Sequence, residues 1–230
     1  ARLADSQRMT EQLLEALPNP IFFKGTDGRY LGVNRAWENL FGVPRTQIVG
    51  KTLHELHAAR PELAAGRQAS DEALWDSPGT QCFETTIRTA DARSRAAIYY
   101  KATVTRADGT VAGLIGTIVD ITERKKLEQQ FEATFDQAAV GIAHFDLEHR
   151  NIRVNRRYSE IVGYRPDELI GKQPGFLNHP DDHALSTGQR EQLLTGEIDH
   201  YSQEKRYIRK DGSIAWICLT VSMMRDAAGA

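Results

Sequence analysis

The 230-residue chain predicts an α+β fold built twice over, on three observations. The first is an internal repeat: residues 20–52 moved forward by 121 positions fall on residues 141–173. Ile21 lands on Ile142, Val33-Asn34-Arg35 on Val154-Asn155-Arg156, Gly42 on Gly163, and Gly50-Lys51 on Gly171-Lys172. A period this long exceeds the roughly 20–50 residues of solenoid repeats and suits a small domain. The second is the order inside each copy: two short strands, short helices, then long strands. The third is the turn chemistry that folds those strands back, such as Asp211-Gly212, a type I′ hairpin signal. Together these give an antiparallel sheet with helices gathered on one face.

Taken in order, residues 3–17 read as a helix because Leu3, Met9, Leu13, Leu14 and Leu17 share one stripe, and Pro18 and Pro20 stop it. Ile21-Phe22-Phe23 is a short strand, Thr26-Asp27-Gly28-Arg29 a turn, and Tyr30-Leu31-Gly32-Val33 the returning strand. From Asn34 the period becomes helical, with Asn34 as N-cap and Gly42 as the stop. The middles, 52–78 and 173–200, differ most between copies. Strands are expected at Cys82–Thr89, Ala96–Val104 and Leu114–Ile121, and then at Tyr201–Arg209 and Ile214–Met224. Between the copies a charged helix is expected over 123–135. Its Asp120 and Glu123 have capping-box spacing, Thr122 is a competing cap, and Leu127, Phe131 and Phe135 form a single apolar stripe. Such a stripe suits packing on its own domain or a seam to a partner. The expected division is 1–17 helix, 18–122 first domain, 123–135 connector and 136–230 second domain.

Composition narrows the classes. Hydrophobic content of 40% and charge of 26% are those of ordinary globular protein. A net charge of −2 gives no reason to expect nucleic acid or an anionic membrane. No apolar run approaches the ~20 residues of a spanning helix. The first residues carry no signal-peptide core and no Met, so the chain reads as a piece of a longer one. Cys82 and Cys218 lie in different copies without CxxC spacing, which fits a reducing cytoplasm.

The motifs then resemble a known family. An Asn-led helix is followed by Gly163-Tyr164-Arg165-Pro166-Asp167-Glu168-Leu169-Ile170-Gly171-Lys172, then His179-Pro180-Asp181-Asp182, then the run Glu204 to Trp216. Asp120-Ile121-Thr122-Glu123-Arg124-Lys125 closes the first copy. Five such elements in order, over nearly the whole chain, resemble tandem PAS domains of bacterial signalling proteins. The resemblance implies a five-stranded antiparallel sheet cupping a pocket, a role in sensing or association, and catalysis left to an output domain such as a histidine kinase or diguanylate cyclase. It also implies signal coupling at Asp120, Thr122 and Arg124, where a carboxylate at a helix start can favour one exit angle. The second copy stops before its last strand, so an unpaired sheet edge is expected there.

Strand alternation assigns the pocket faces. In the second copy Ile217, Leu219, Val221 and Met223 share one face. In the first, Ile98, Tyr100, Ala102 and Val104 are expected inward, joined by Leu114, Gly116 and Ile118. Trp37, Phe41, Leu53, Tyr158, Phe176, Leu177 and Tyr207 complete the candidate ligand-binding set. Flavin is disfavoured, because Pro174 and Leu53 stand where photosensors of this fold carry their reactive cysteine. Tyr207 and Ile217 stand where those sensors carry ring-binding asparagines. Haem would need His54, His57, His179 or His183 as axial ligand, and lone histidines are weak grounds for a metal centre, so no cofactor and no metal is predicted. His54-Glu55-Leu56-His57 is one residue short of the metalloprotease motif, and Asp181-Asp182 would point apart on a helix. The expected function is therefore a cytoplasmic sensory input module, homodimeric, taking a small ligand in one or both pockets and signalling to an output domain. The alternative is a ligand-free dimerisation module.

Overall fold

The structure is a computed structural model that describes residues 2–56, 61–182 and 187–224. It divides into two compact units, Ala1–Leu127 and Glu128–Ala230. The first holds α1 (Arg2–Ala16), β1 (Ile21–Gly25), β2 (Tyr30–Val33), α2 (Arg35–Phe41), α3 (Arg45–Ile48), α4 (Leu53–Leu56), α5 (Pro61–Asp76), β3 (Thr80–Arg88), β4 (Ser94–Thr105) and β5 (Val111–Asp120). Helix α6 (Thr122–Gln137) follows without a break. The five strands form one antiparallel sheet in the order β2-β1-β5-β4-β3, so the last strand in sequence is the central one. Phe22, Tyr30, Val33, Trp37, Ile48, Leu53, Ile87, Ala97, Tyr99, Leu114 and Ile118 make its core. Gly116 has no side chain because the Phe22 ring lies where one would stand; a Cβ there would meet it at 2.2 Å.

The second unit holds β6 (Ala143–Phe145), β7 (Asn151–Val154), α7 (Arg156–Val162), α8 (Pro166–Leu169), a 3-10 turn at Pro174–Leu177, α9 (Thr187–Thr195), β8 (His200–Ile208) and β9 (Ile214–Ser222). Its strands form two separate two-stranded sheets, β6-β7 and β8-β9. The comparison with β5 explains why. In the first unit β5 bonds β1 on one side and β4 on the other, and it alone joins the two halves of the sheet. No described residue takes that place in the second unit. The unfilled place is thus central, and both β6 and β9 keep an edge without a strand partner among the described residues, where a single open edge was expected. Asp226–Ala230 lie outside the described residues.

Helix boundaries follow the local signals. Asn34 and Asn155 cap α2 and α7 by accepting from the N–H of Trp37 and Tyr158, and Gly42 and Gly163 end those helices at φ +68° and +76°. Left-handed backbone of this kind suits glycine. The apolar stripe of α6 is divided: Phe135 is buried, Phe131 stacks on it while half exposed, and Leu127 is exposed. Glu123 pairs with Lys126 at 2.8 Å rather than closing a capping box on Asp120.

One face assignment is reversed. On β4 the buried residues are Ala97, Tyr99 and Lys101, while Tyr100 and Val104 are exposed and Ile98 shares their face. The hairpin bond from Thr89 N–H to Arg93 O repeats as Arg209 N–H to Ser213 O, which aligns the strands at an offset of 120 and sets Ile217 on Ala97. A one-residue slip in that alignment sends every side chain to the opposite face.

Candidate functional site

The inner face of the first sheet carries charge where an apolar pocket was expected. Lys24 on β1 and Lys101 on β4 both point beneath α5, and Asp71 of that helix takes one ammonium on each oxygen, at 2.5 Å and 2.5 Å. Side-chain exposure of the three is only 2–3%. Ions are buried this far from water only when paired and hydrogen-bonded. Lys101 also donates to Ser70 Oγ at 3.0 Å and to the Arg67 carbonyl at 3.4 Å. Among the described residues Lys24 makes one hydrogen bond, to Asp71, and otherwise lies 4.7 Å from the Tyr30 ring centre and 5.8 Å from that of Phe22. Two cations against one carboxylate leave one positive charge in excess. Burial pushes both ammonium groups below the usual lysine range, and Asp71 pulls them back up. Burial likewise pushes the Tyr30 and Tyr99 phenols up.

A recess of about 240 Å³ opens beside this cluster, lined by Lys24, Asp71, Leu53 and Trp75, with Asp27 and Glu72 also on its wall. The Trp75 indole N–H is buried without an acceptor among the described residues. Of the expected ligand residues, Leu53 lines this recess. Trp37, Leu114 and Ile118 belong to the packed core around it, and the Phe41 ring lies tilted against Trp37 at 4.6 Å. Tyr100 and Ile98 face the other way, for the register reason given above. In the second unit Tyr158, Leu177 and Tyr207 are buried together, with Ile217 against them. Leu219 and Val221 share the Ile217 face, half-buried. Phe176 departs from expectation: it is 43% exposed and lies edge-on to Tyr164, because the tight 3-10 turn sends Leu177 inward in its place. Burial pushes the Tyr158 phenol up to about 12.

Sequence reasoning missed Lys24, Asp71, Lys101 and Trp75. A signal existed for Lys101, which alternates with Ala97 and Tyr99 once the hairpins are aligned. Asp71, in a variable helical middle, offered none.

At the exit, the Asp120 carboxylate accepts the Thr122 N–H at 2.9 Å and pairs with Arg95 of β4 at 3.0 Å. Hydrogen bonds from Thr122 and Arg95 outweigh its partial burial and hold its carboxyl below the usual range. The Thr122 hydroxyl accepts from Ala96 N–H at 3.1 Å. Arg124, expected as the link to Asp120, reaches Glu84 of β3 at 3.2 Å, and Arg95 places a guanidinium on Asp120. At the entry, the Asn34 amide donates to the carbonyls of Leu14 and Asn19 at 3.0 Å and 2.9 Å, while its oxygen accepts from Ile21 N–H. Asn155 repeats this with Phe135, Val140 and Ile142. Entry and exit border one open cleft of about 780 Å³, which takes in Glu15–Pro20, Arg95 and Asp120.

His54 is exposed on α4, and His57 and His183 lie outside the described residues. Asp182 accepts three hydrogen bonds from Arg206, from its backbone N–H and its guanidinium, so the His-Pro-Asp-Asp turn pins β8. No helix among the described residues is long and apolar enough to cross a membrane.

Comparison with known proteins agrees with this architecture. Family models described as PAS fold match residues 14–126 and 151–230. The chain is 34% identical over 110 residues to the probable diguanylate cyclase DgcE of Escherichia coli (strain K12), covering 46% of this chain and 10% of that protein. It is 30% identical over 139 residues to the virulence sensor protein BvgS of Bordetella bronchiseptica, covering 59% and 11%. Against the aerobic respiration control sensor protein ArcB of Escherichia coli (strain K12), identity is 28% over 202 residues, covering 86% and 25%. The solved PAS domain of Bordetella pertussis BvgS aligns with a TM-score of 0.47 and 26% identity, over 55% of this chain and 94% of that one. The chain thus spans a tenth to a quarter of these curated relatives. With both matches falling on the two halves of the repeat, the chain belongs to the PAS family, as two PAS domains in tandem.

Proposed function

We propose that the chain is a cytoplasmic sensory input segment whose first domain takes a small ligand in the recess beside Lys24 and Asp71. The signal leaves through Asp120 and Thr122 into α6, and an output domain of the same polypeptide reads it. The observation carrying this reading is the continuity of sheet between recess and exit. Lys24 is paired across the sheet with Leu114 of β5, and β5 ends six residues later at Asp120. A ligand that shifts Lys24 therefore moves the strand whose end caps the outgoing helix. The reading gives neither domain a flavin or haem, and it needs no nucleic acid. Asp120→Ala in the full-length protein should alter output while leaving first-domain ligand affinity nearly unchanged, read by native mass spectrometry and an output assay. Unchanged output would remove Asp120 from the path.

Exposed apolar residues favour a second, compatible reading as a homodimer. Met9 and Leu13 on α1, with Leu17 after it, and Leu127 and Phe131 on α6 are 45–64% exposed. Analytical ultracentrifugation of the chain should show a dimer that weakens in Leu13→Glu. A monomer at all concentrations would discard it.

A further inference from the structure

We infer that the first-domain recess is built for a small zwitterion, such as an α-amino acid, with its carboxylate inward on Lys24 and its ammonium outward. This rests on the ligand-sensing reading above and adds the chemical class. Four observations carry it.

The inner end of the recess is cationic and under-satisfied. Lys24 is 3% exposed, yet among the described residues it spends only one of its three ammonium protons on a hydrogen bond. Lys101, in contrast, has hydrogen-bond acceptors in Asp71, Ser70 and the Arg67 carbonyl. The single carboxylate between the lysines leaves one positive charge unbalanced in a low-dielectric site, where a bound anion is worth most. Trp75, whose indole N–H is buried with no acceptor among the described residues, lines the same recess. A carboxylate has two oxygens and would serve both donors.

The outer part of the recess has the opposite sign. Asp27 and Glu72 both line it and both are exposed. Asp27 holds its own turn through Arg29 N–H at 3.1 Å and lies 3.9 Å from the Arg29 guanidinium, and Glu72 accepts from Gln68 at 2.8 Å, so both carboxylates are held in place. Such a rim repels a plain dicarboxylate and attracts an ammonium. At about 240 Å³ the space lies below the ~300 Å³ at which ordinary ligand pockets begin. That restricts the occupant to few heavy atoms.

The test uses the whole 230-residue chain, titrated calorimetrically with the standard amino acids, with propionate and with ethylamine. At least one amino acid should bind saturably, and propionate and ethylamine, each lacking one charge, should bind more than about tenfold more weakly. Lys24→Met should lose about tenfold or more in affinity while still folding, because Asp71 keeps its pair with Lys101; its thermal melt verifies this. Trp75→Phe, which keeps the ring and removes the N–H, should weaken binding several-fold. Asp27→Asn with Glu72→Gln should narrow the gap between the amino acid and propionate. Binding unaltered by Lys24→Met, equal affinity for propionate, or no amino acid bound at all would each overturn the assignment. A different molecule found on the purified protein by native mass spectrometry, lost in Lys24→Met, would overturn the zwitterion while leaving the sensing reading intact. No bound molecule, together with an inert Asp120→Ala, would remove both.

Discussion

Asn34 and Asn155 show how much one buried side chain can organise. Each caps a helix, holds the first strand of its domain, and grips carbonyls at the end of the incoming helix. Removing an N-cap costs about 1 kcal/mol, and leaving buried partners unsatisfied adds about 1–3 kcal/mol more. Asn34→Ala should therefore cost about 2–4 kcal/mol by urea unfolding, and a loss near 1 kcal/mol would mean water replaces the amide. Asp182 offers a test in acid. Hydrogen bonds from Arg206 hold its carboxyl down to about 2. A lowered acid stabilises fully above the ordinary aspartate value of about 3.9 and loses that stabilisation as pH falls through the folded value. The stability difference between the natural protein and Arg206→Met should thus be constant above about pH 5 and shrink toward pH 2, followed by circular dichroism. A difference that survives to that pH would rule out the pairing as its source. Asparagine caps were legible in the sequence because they precede helical spacing. The Lys24–Asp71–Lys101 cluster was not, because lysine in a strand reads as a solvent-facing residue until its partner on another element is known.

At the level of elements, β4 and α6 are the instructive cases. The strand was placed correctly and its two faces exchanged, since Ile98, Tyr100 and Val104 form as good an apolar row as Ala97 and Tyr99. Periodicity gives two faces without saying which is inside; the buried lysine decided it. Tyr99 is buried, stacked on Phe83 at 5.6 Å, whereas Tyr100 is 45% exposed. Tyr99→Ala should cost about 3–5 kcal/mol and Tyr100→Ala under about 1 kcal/mol in thermal or urea unfolding. Equal costs would restore the opposite face. Helix α6 was legible as a helix, with a start and end within two residues of those observed. The division of its stripe was not legible, because Phe135 is buried by elements more distant in sequence. Its ring lies 5.2 Å from His144 and 4.2 Å from the Arg153 guanidinium.

At the scale of the molecule, two copies of one plan end in unequal sheets. The first is joined by its central strand and the second is split into two hairpins among the described residues. Strand pairs standing alone are marginally stable in water. Amides of β1 and β4 should exchange with solvent more slowly than those of β6 and β9, measured by hydrogen exchange. Equal protection would show that packing alone holds the second pair of hairpins.

The paired asparagines also decide where this protein can be cut. Leu14 and Phe135 stand 121 positions apart, as do Asn19 and Val140. What was duplicated is therefore a cassette of helix plus core, in which α6 closes one cassette and opens the next. A second-domain fragment begun at Val140 would leave the Asn155 amide without its Phe135 carbonyl. One begun at Thr122 carries its own first turn and the whole of the docking helix. A cut ahead of α6 therefore keeps the contact that a cut after it would lose.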